Sequence, residues 1–258
     1  EELTLDGEGR GWLRFRLPAH IERGAGAVQM HLRAGEAQAS VSCAIPIPPT
    51  RILLALHPEG GDLVVGLPAR LYLEARTPLG APAEVAGHIV DDAGAVLAHF
   101  HTEHEGRGRV MILPARAGRA YAAVLDEPAG FPERFPLPDV AHEGLSLIAL
   151  DDRSDADDPL HFRVASTAAM RARLSIHRRD HEVAAFPIDL AAGEVKDLSL
   201  KVPVSATGVL RATLHDALGR PRAERLIFRR PPSELRVEIE ALPRRLGPRA
   251  PVSLRVRT

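Results

Sequence analysis

Glu105-Gly106-Arg107-Gly108 runs straight into Arg109-Val110-Met111-Ile112-Leu113-Pro114, and the same order occurs earlier, where Glu8-Gly9-Arg10-Gly11 leads towards Leu13-Arg14-Phe15-Arg16-Leu17-Pro18. From position 8 to position 105 the offset is 97 residues, about the size of one small β-sandwich. A second mark recurs between these units: Ile45-Pro46-Ile47-Pro48-Pro49-Thr50, Phe135-Pro136-Leu137-Pro138-Asp139-Val140 and Phe228-Arg229-Arg230-Pro231-Pro232-Ser233. Proline gives no N–H to a ladder and holds the chain extended, so such segments suit joints between sheet domains. The pattern predicts a string of sandwiches.

The strand faces agree. Leu71/Leu73/Ala75, Val85/Gly87/Ile89 and Val96/Ala98/Phe100 alternate with polar or small neighbours, as do Leu145/Leu147/Ala149, Leu160/Phe162/Val164, Leu174/Ile176, Leu198/Leu200/Val202 and Leu210/Ala212/Leu214. Asp91-Asp92-Ala93-Gly94, Gly106-Arg107-Gly108 and Leu218-Gly219-Arg220-Pro221 read as turns. Tyr121, after Ala117-Gly118-Arg119, is placed to cap a sandwich corner. The nearest approach to helical periodicity, Met170–Leu174, is too short to nucleate a helix. The expected fold is all-β: tandem antiparallel seven-stranded β-sandwiches. Complete sandwiches are expected at 51–138 and 141–230, the C-terminal half of another at 1–49, and the N-terminal strands of a further one at 234–258. In the first half the faces are Leu13/Phe15/Leu17, Val28/Met30/Leu32 and Val41/Cys43/Ile45; in the last, Leu235/Val237/Ile239 and Val252/Leu254/Val256. Each half would leave an apolar face and an open edge, as in an extract from a longer ordered chain; the alternatives are fraying, or pairing of the halves with each other or with a second copy into a composite sandwich.

Composition narrows the function classes. Of 258 residues, 45% are hydrophobic and 26% charged, an ordinary globular balance; 33 Lys+Arg against 34 Asp+Glu leave no global attraction to nucleic acid or anionic lipid. No apolar run is long enough for a membrane span, and no signal peptide opens a chain that reads as starting inside a domain. The single cysteine excludes an internal disulfide framework, and Cys43, in phase with Val41 and Ile45, is expected to be a small buried hydrophobe.

Candidate chemistry is thin. Pro58-Glu59-Gly60-Gly61-Asp62 lacks the Lys-Ser/Thr and helix of a nucleotide loop and reads as a bend needing positive φ. His99-Phe100-His101-Thr102-Glu103-His104 is the best metal candidate, with His99 and His101 on one strand face, but a solvated outer face is expected. Asp151-Asp152-Arg153-Ser154-Asp155-Ala156-Asp157-Asp158 is acidic enough for calcium. It lacks the Gly and Glu of an EF-hand, at Ala156 and Phe162, and reads as a charged loop. Arg229, Arg230, Arg244, Arg245 and Arg249 interleave with Glu234, Glu238 and Glu240 and lack aromatic platforms, so they read as surface at a domain joint. No Gly-x-Ser-x-Gly elbow occurs. No catalytic, cofactor-binding or metal-binding residue, and no cofactor, is expected.

Two segments resemble macroglobulin domains of the alpha-2-macroglobulin and complement superfamily, in its bacterial branch. The first is His57-Pro58-Glu59-Gly60-Gly61-Asp62-Leu63-Val64-Val65-Gly66-Leu67-Pro68-Ala69-Arg70, leading to Gly80, Gly87, Asp91, Gly94 and Thr102–Gly108. The second is Gly208–Asp216 followed by Gly219–Phe228. The resemblance implies fibronectin type III-like sandwiches outside the cytoplasm, in a periplasmic, cell-surface or secreted protein. It also implies a non-catalytic segment framing protease inhibition or capture, whose partners are proteins and the remaining domains of its parent. The family's Cys-Gly-Glu-Gln thioester is not here, since Cys43 precedes Ala44-Ile45-Pro46, and no bait-like insert appears. A structural or protein-interaction array of the bacterial envelope, without inhibitory chemistry, is the alternative.

Overall fold

Alternation of apolar and polar residues builds strands throughout the computed structural model, which describes residues 5–16, 26–35, 37–45, 51–233, 235–240, 249 and 252–258. No helix occurs among them. A first hairpin pairs β1 (Gly26–Ala34) with β2 (Ala37–Ile45). Then follow β3 (Leu53–Pro58), the short β4 (Gly60–Gly61) and β5 (Leu63–Val64), β6 (Ala69–Arg76), β7 (Ala86–Val90), β8 (Val96–His101), β9 (Arg107–Ile112), β10 (Ala122–Glu127) and β11 (Arg134–Pro136). Strands β3-β6-β9 form one antiparallel sheet and β11-β10-β7-β8 the other. Leu71, Leu73 and Ala75 of the first sheet share a core with Val85, Ile89, Phe100 and Ala123 of the second side. Tyr121 closes the corner: it is buried, and its hydroxyl accepts the Arg116 N–H at 3.1 Å and donates to the Arg116 carbonyl at 3.2 Å.

The second sandwich repeats the plan. After β12 (Val140–Ala141) come β13 (Leu145–Ala149), β14 (Arg153–Ser154), β15 (Leu160–Ser166), β16 (Met170–Arg178), β17 (His181–Leu190), β18 (Val195–Leu200), β19 (Gly208–His215) and β20 (Pro221–Arg229). Sheet β13-β15-β18 faces sheet β20-β19-β16-β17, and Leu147, Phe162, Val164, Leu174, Ile176, Leu210, Ala212 and Leu214 fill the space between them. A last hairpin joins β21 (Glu238–Glu240) to β22 (Arg255–Arg257).

Four details depart from the sequence reading. Residues 13–16 form no strand, because no described neighbour offers them a ladder, and Leu13 and Phe15 stand exposed; Leu17 lies outside the described residues. The repeated tetrapeptide is two different turns. Glu105 and Gly106, both at positive φ, link His104 to Arg107 in a two-residue turn, whereas Gly9 closes a loop in which Asp6 Oδ1 accepts the N–H groups of Glu8 and Arg10. The element that recurs is the latter: Asp91 does the same for Ala93 and Ala95, and Asp216 for Leu218 and Arg220. Gly108 belongs to β9, not to the turn. Cys43 is exposed, because no described element covers that face of the β1–β2 hairpin.

Candidate functional site at the joint of the two sandwiches

The densest polar chemistry in the described chain lies where the sandwiches meet, and backbone geometry prepares it. After β3, Gly60 (φ 83°) and Gly61 (φ 145°) swing the chain across to the other sandwich, where β4 pairs with Ala223 and Glu224 on the edge of β20. A Cβ on Gly60 would sit 2.7 Å from the Leu147 carbonyl oxygen, so the approach requires glycine. Next to it, β5 runs parallel to β12, and buried Val64 and Leu67 pack with Ala165 of the second sandwich. The bend read from the sequence is therefore also a splice between two sheets.

These contacts bring Glu59 into the joint. Its side chain is fully buried; Oε1 accepts the Ala149 N–H at 2.8 Å and lies 3.0 Å from Arg225 Nε, while Oε2 lies 3.2 Å from Arg70 Nη1. Arg70 Nη1 also donates to the Ala149 carbonyl at 2.8 Å. Arg225 Nη2 donates to both Tyr72 Oη and Asp152 Oδ1 at 2.7 Å, and its guanidinium lies 4.9 Å from the Tyr72 ring centroid. Asp152 accepts from Arg109 Nη1 at 2.9 Å and from the Tyr72 hydroxyl at 3.3 Å. Glu59, Arg70, Tyr72 and Arg109 belong to the first sandwich, and Ala149, Asp152 and Arg225 to the second. Burial raises the Glu59 carboxyl above the ordinary glutamate range, against the opposing pull of the Ala149 N–H, Arg70 and Arg225. Burial also works against ionised Asp152, but Arg225, Arg109 and Arg70 outweigh it and hold that carboxyl below its usual range. The arrangement offers charge pairing and orientation. It shows no nucleophile activated by a base.

The acidic loop at 151–158 closes on an arginine of β20. Arg229, which the sequence placed on the surface, is 1% exposed. Its guanidinium donates to the carbonyls of Asp155, Ala156 and Asp158 on one side and of Val202, Pro203 and Ala206 on the other. Three loop carboxylates turn outward, Asp151 to His161 at 2.7 Å, Asp152 into the joint and Asp155 to Arg230 at 3.4 Å, while Asp158 accepts the Asp155 N–H within the loop at 3.4 Å. Arg244 and Arg245 lie outside the described residues. His99 is grouped neither with His101 nor with His104 but lies near His88, its directly opposed partner on β7, and near Asp126.

The sequence reading missed Glu59, Arg70, Tyr72, Arg109 and Arg225 as a group, and it missed His88 and Asp126. One signal was present. On β20 the buried phase runs Ala223, Arg225, Ile227, Arg229, and a charged residue in an apolar phase announces a buried partner.

No protein-family model and no curated protein matches the chain. Solved structures do align. Salmonella alpha-2-macroglobulin reacted with methylamine matches over 87% of this chain and 20% of its own, at 11% identity and a TM-score of 0.35. Domains 4–9 of the surface layer protein SbsC match over 84% and 37%, at 12% identity and 0.40. The Yersinia pseudotuberculosis adhesin InvE matches over 69% and 58%, at 12% identity and 0.25. The chain thus spans about a fifth of the alpha-2-macroglobulin it matches. Likeness of this degree concerns the β-sandwich fold alone.

Proposed function

We propose that this chain is a non-catalytic scaffold segment that holds two β-sandwiches at a fixed mutual orientation. The observation that supports it is the burial of Glu59 between Ala149, Arg70 and Arg225, residues drawn from both sandwiches. Tandem domains joined by a mere linker move relative to each other by default. A buried carboxylate with partners on both sides penalises that motion, since separation would strip it of the Ala149 N–H and of Arg225.

The test is a distance measurement. With Cys43→Ser as background, spin labels are placed at exposed Ala93 and Ala192, one in each sandwich. A single narrow distance distribution is expected, broadening in Glu59→Ala. A broad distribution in the unmodified joint would sink the reading.

Within this role, the finer reading is an extracytoplasmic frame for protease inhibition or capture in an alpha-2-macroglobulin-like protein, with bait and thioester outside this chain. It draws on the turn glycines and joint prolines that resemble macroglobulin domains. A stiff joint serves an envelope spacer or docking array equally well. A Cys-Gly-Glu-Gln motif or a flexible bait stretch in the parent reading frame decides for the first, and a parent with neither for the second.

A further inference from the structure

We propose that His88, His99 and Asp126 form a surface binding site for a borderline divalent metal ion, with zinc as its simplest occupant. The three residues come from three adjacent strands of one sheet: His88 from β7, His99 from β8 and Asp126 from β10. Their placement follows from register. His88 and His99 are directly opposed across the β7–β8 ladder, so both imidazoles leave the same outer face, and their ring centroids lie 5.9 Å apart. On the other side of β7, Val124 opposes His88, and a bulge between Leu125 and Glu127 leaves Asp126 out of the ladder with its carboxylate against His88. One donor atom from each residue falls within 4.8 Å of the other two.

The donor set suits the ion. Zinc takes imidazole nitrogen and carboxylate oxygen at about 2.0–2.2 Å in a tetrahedron, which separates neighbouring donors by about 3.3 Å. His88 Nδ1 and Asp126 Oδ2 are already 2.9 Å apart, joined by a hydrogen bond. An ion taking the place of that shared proton needs this edge to open by only a few tenths of an ångström. The exposed His99 ring then closes the remaining distance by side-chain rotation, and water completes the coordination. Two imidazoles and one carboxylate favour a borderline transition ion over calcium, which takes more ligands and only oxygen.

This triad is not the set that sequence spacing singled out. His101 shares the outer face of β8 with His99 but opposes Ala86, and neither it nor His104 joins the group. A bound ion would tie β8, β7 and β10 together from outside, on the sheet that does not carry the joint network.

Isothermal titration of the full chain with zinc chloride tests the site, with imidazole proton resonances followed in parallel. One saturable equivalent is expected, and the first resonances to move should be those of His88 and His99. His99→Ala or His88→Ala should weaken binding by about tenfold or more, in the range seen when a coordination sphere loses support. Asp126→Asn should weaken it less, and His101→Ala should leave it unchanged. His99→Asn, a milder change on an exposed position, guards against a folding defect in the alanine variants. Absence of saturable binding at millimolar zinc overturns the proposal. So does binding that survives both His88 and His99 substitutions, or that is lost with His101→Ala.

Discussion

Arg225 and Arg229 sit four residues apart on the same face of β20, and they are held in opposite ways. Arg229 stays within its own sandwich and binds only neutral carbonyls, tying the 151–158 loop to the 202–206 segment. Arg225 reaches out of it, to Glu59 and Tyr72 of the first sandwich and to Asp152 of its own. The first arrangement is a rivet: six carbonyls converge on one buried cation, and two of them, those of Asp155 and Pro203, also accept a backbone N–H. The second is a clasp whose strength depends on the ionisation of two carboxylates. One strand thus ties two loops of its own domain at its end and contacts the neighbouring domain in its middle.

The largest expected effect breaks the rivet. Arg229→Met keeps the volume of the stem but removes every guanidinium donor to the two loops, and it should cost about 3–5 kcal/mol, since several buried carbonyls each lose a hydrogen bond at about 1–3 kcal/mol before relaxation recovers part of it. Denaturant unfolding should show the second sandwich destabilised while the Ala93–Ala192 distance stays narrow before the transition. Loss of less than about 1 kcal/mol would mean that water replaces the guanidinium.

A smaller effect breaks the clasp. Glu59→Ala leaves the Ala149 N–H buried without its acceptor, a loss of about 1–3 kcal/mol. The spin-label distances should broaden while each sandwich stays folded, the reverse of the Arg229→Met signature. Gly60→Ala tests the backbone half of the joint. Its Cβ would press on the Leu147 carbonyl, and its φ of 83° is strained for any side chain, so about 1–2 kcal/mol and a widened distribution are expected. If Gly60→Ala leaves the distribution narrow, the β4–β20 pairing does not set the angle.

The difference between these regions also explains what the sequence disclosed. The faces at Leu71/Leu73/Ala75 and Leu210/Ala212/Leu214 were readable because burial on one side of a strand imposes a period of two that survives any tertiary context. Tyr121 was readable because its corner is local, closing on Arg116 five positions earlier. The tetrapeptide at 8 and 105 misled because glycine marks a turn without saying which one; the neighbouring Asp of the Asp6, Asp91 and Asp216 loops carries the geometry. Glu59 meets Ala149 across 90 residues and Tyr72 meets Arg225 across 153, and no local period links residues so far apart. Cys43 failed in another way: alternation shows which face a residue shares, not whether anything covers that face.

The smallest effect sharpens the clasp by pH. Asp152 has a folded pKa below its ordinary value, so the stability it gives is present above the normal aspartate range and is lost as pH falls through the folded value. Glu59 has a raised folded pKa, so its contribution is present below the normal glutamate range and is lost as pH rises through the folded value. The two carboxylates therefore tilt the stability curve in opposite directions. Substitution separates them. Relative to wild type, Glu59→Gln keeps an acceptor for the Ala149 N–H and should gain ground as pH rises, since it removes a carboxylate that is costly to ionise. Asp152→Asn should lose ground over the same rise. Asp152 is nearly half exposed, so solvent screens it and the loss should stay under about 1 kcal/mol. The measurement is denaturant stability of both variants and wild type from the acid range to neutrality. Difference curves of the same sign would show that the two carboxylates titrate as one coupled pair rather than as opposed halves of the clasp.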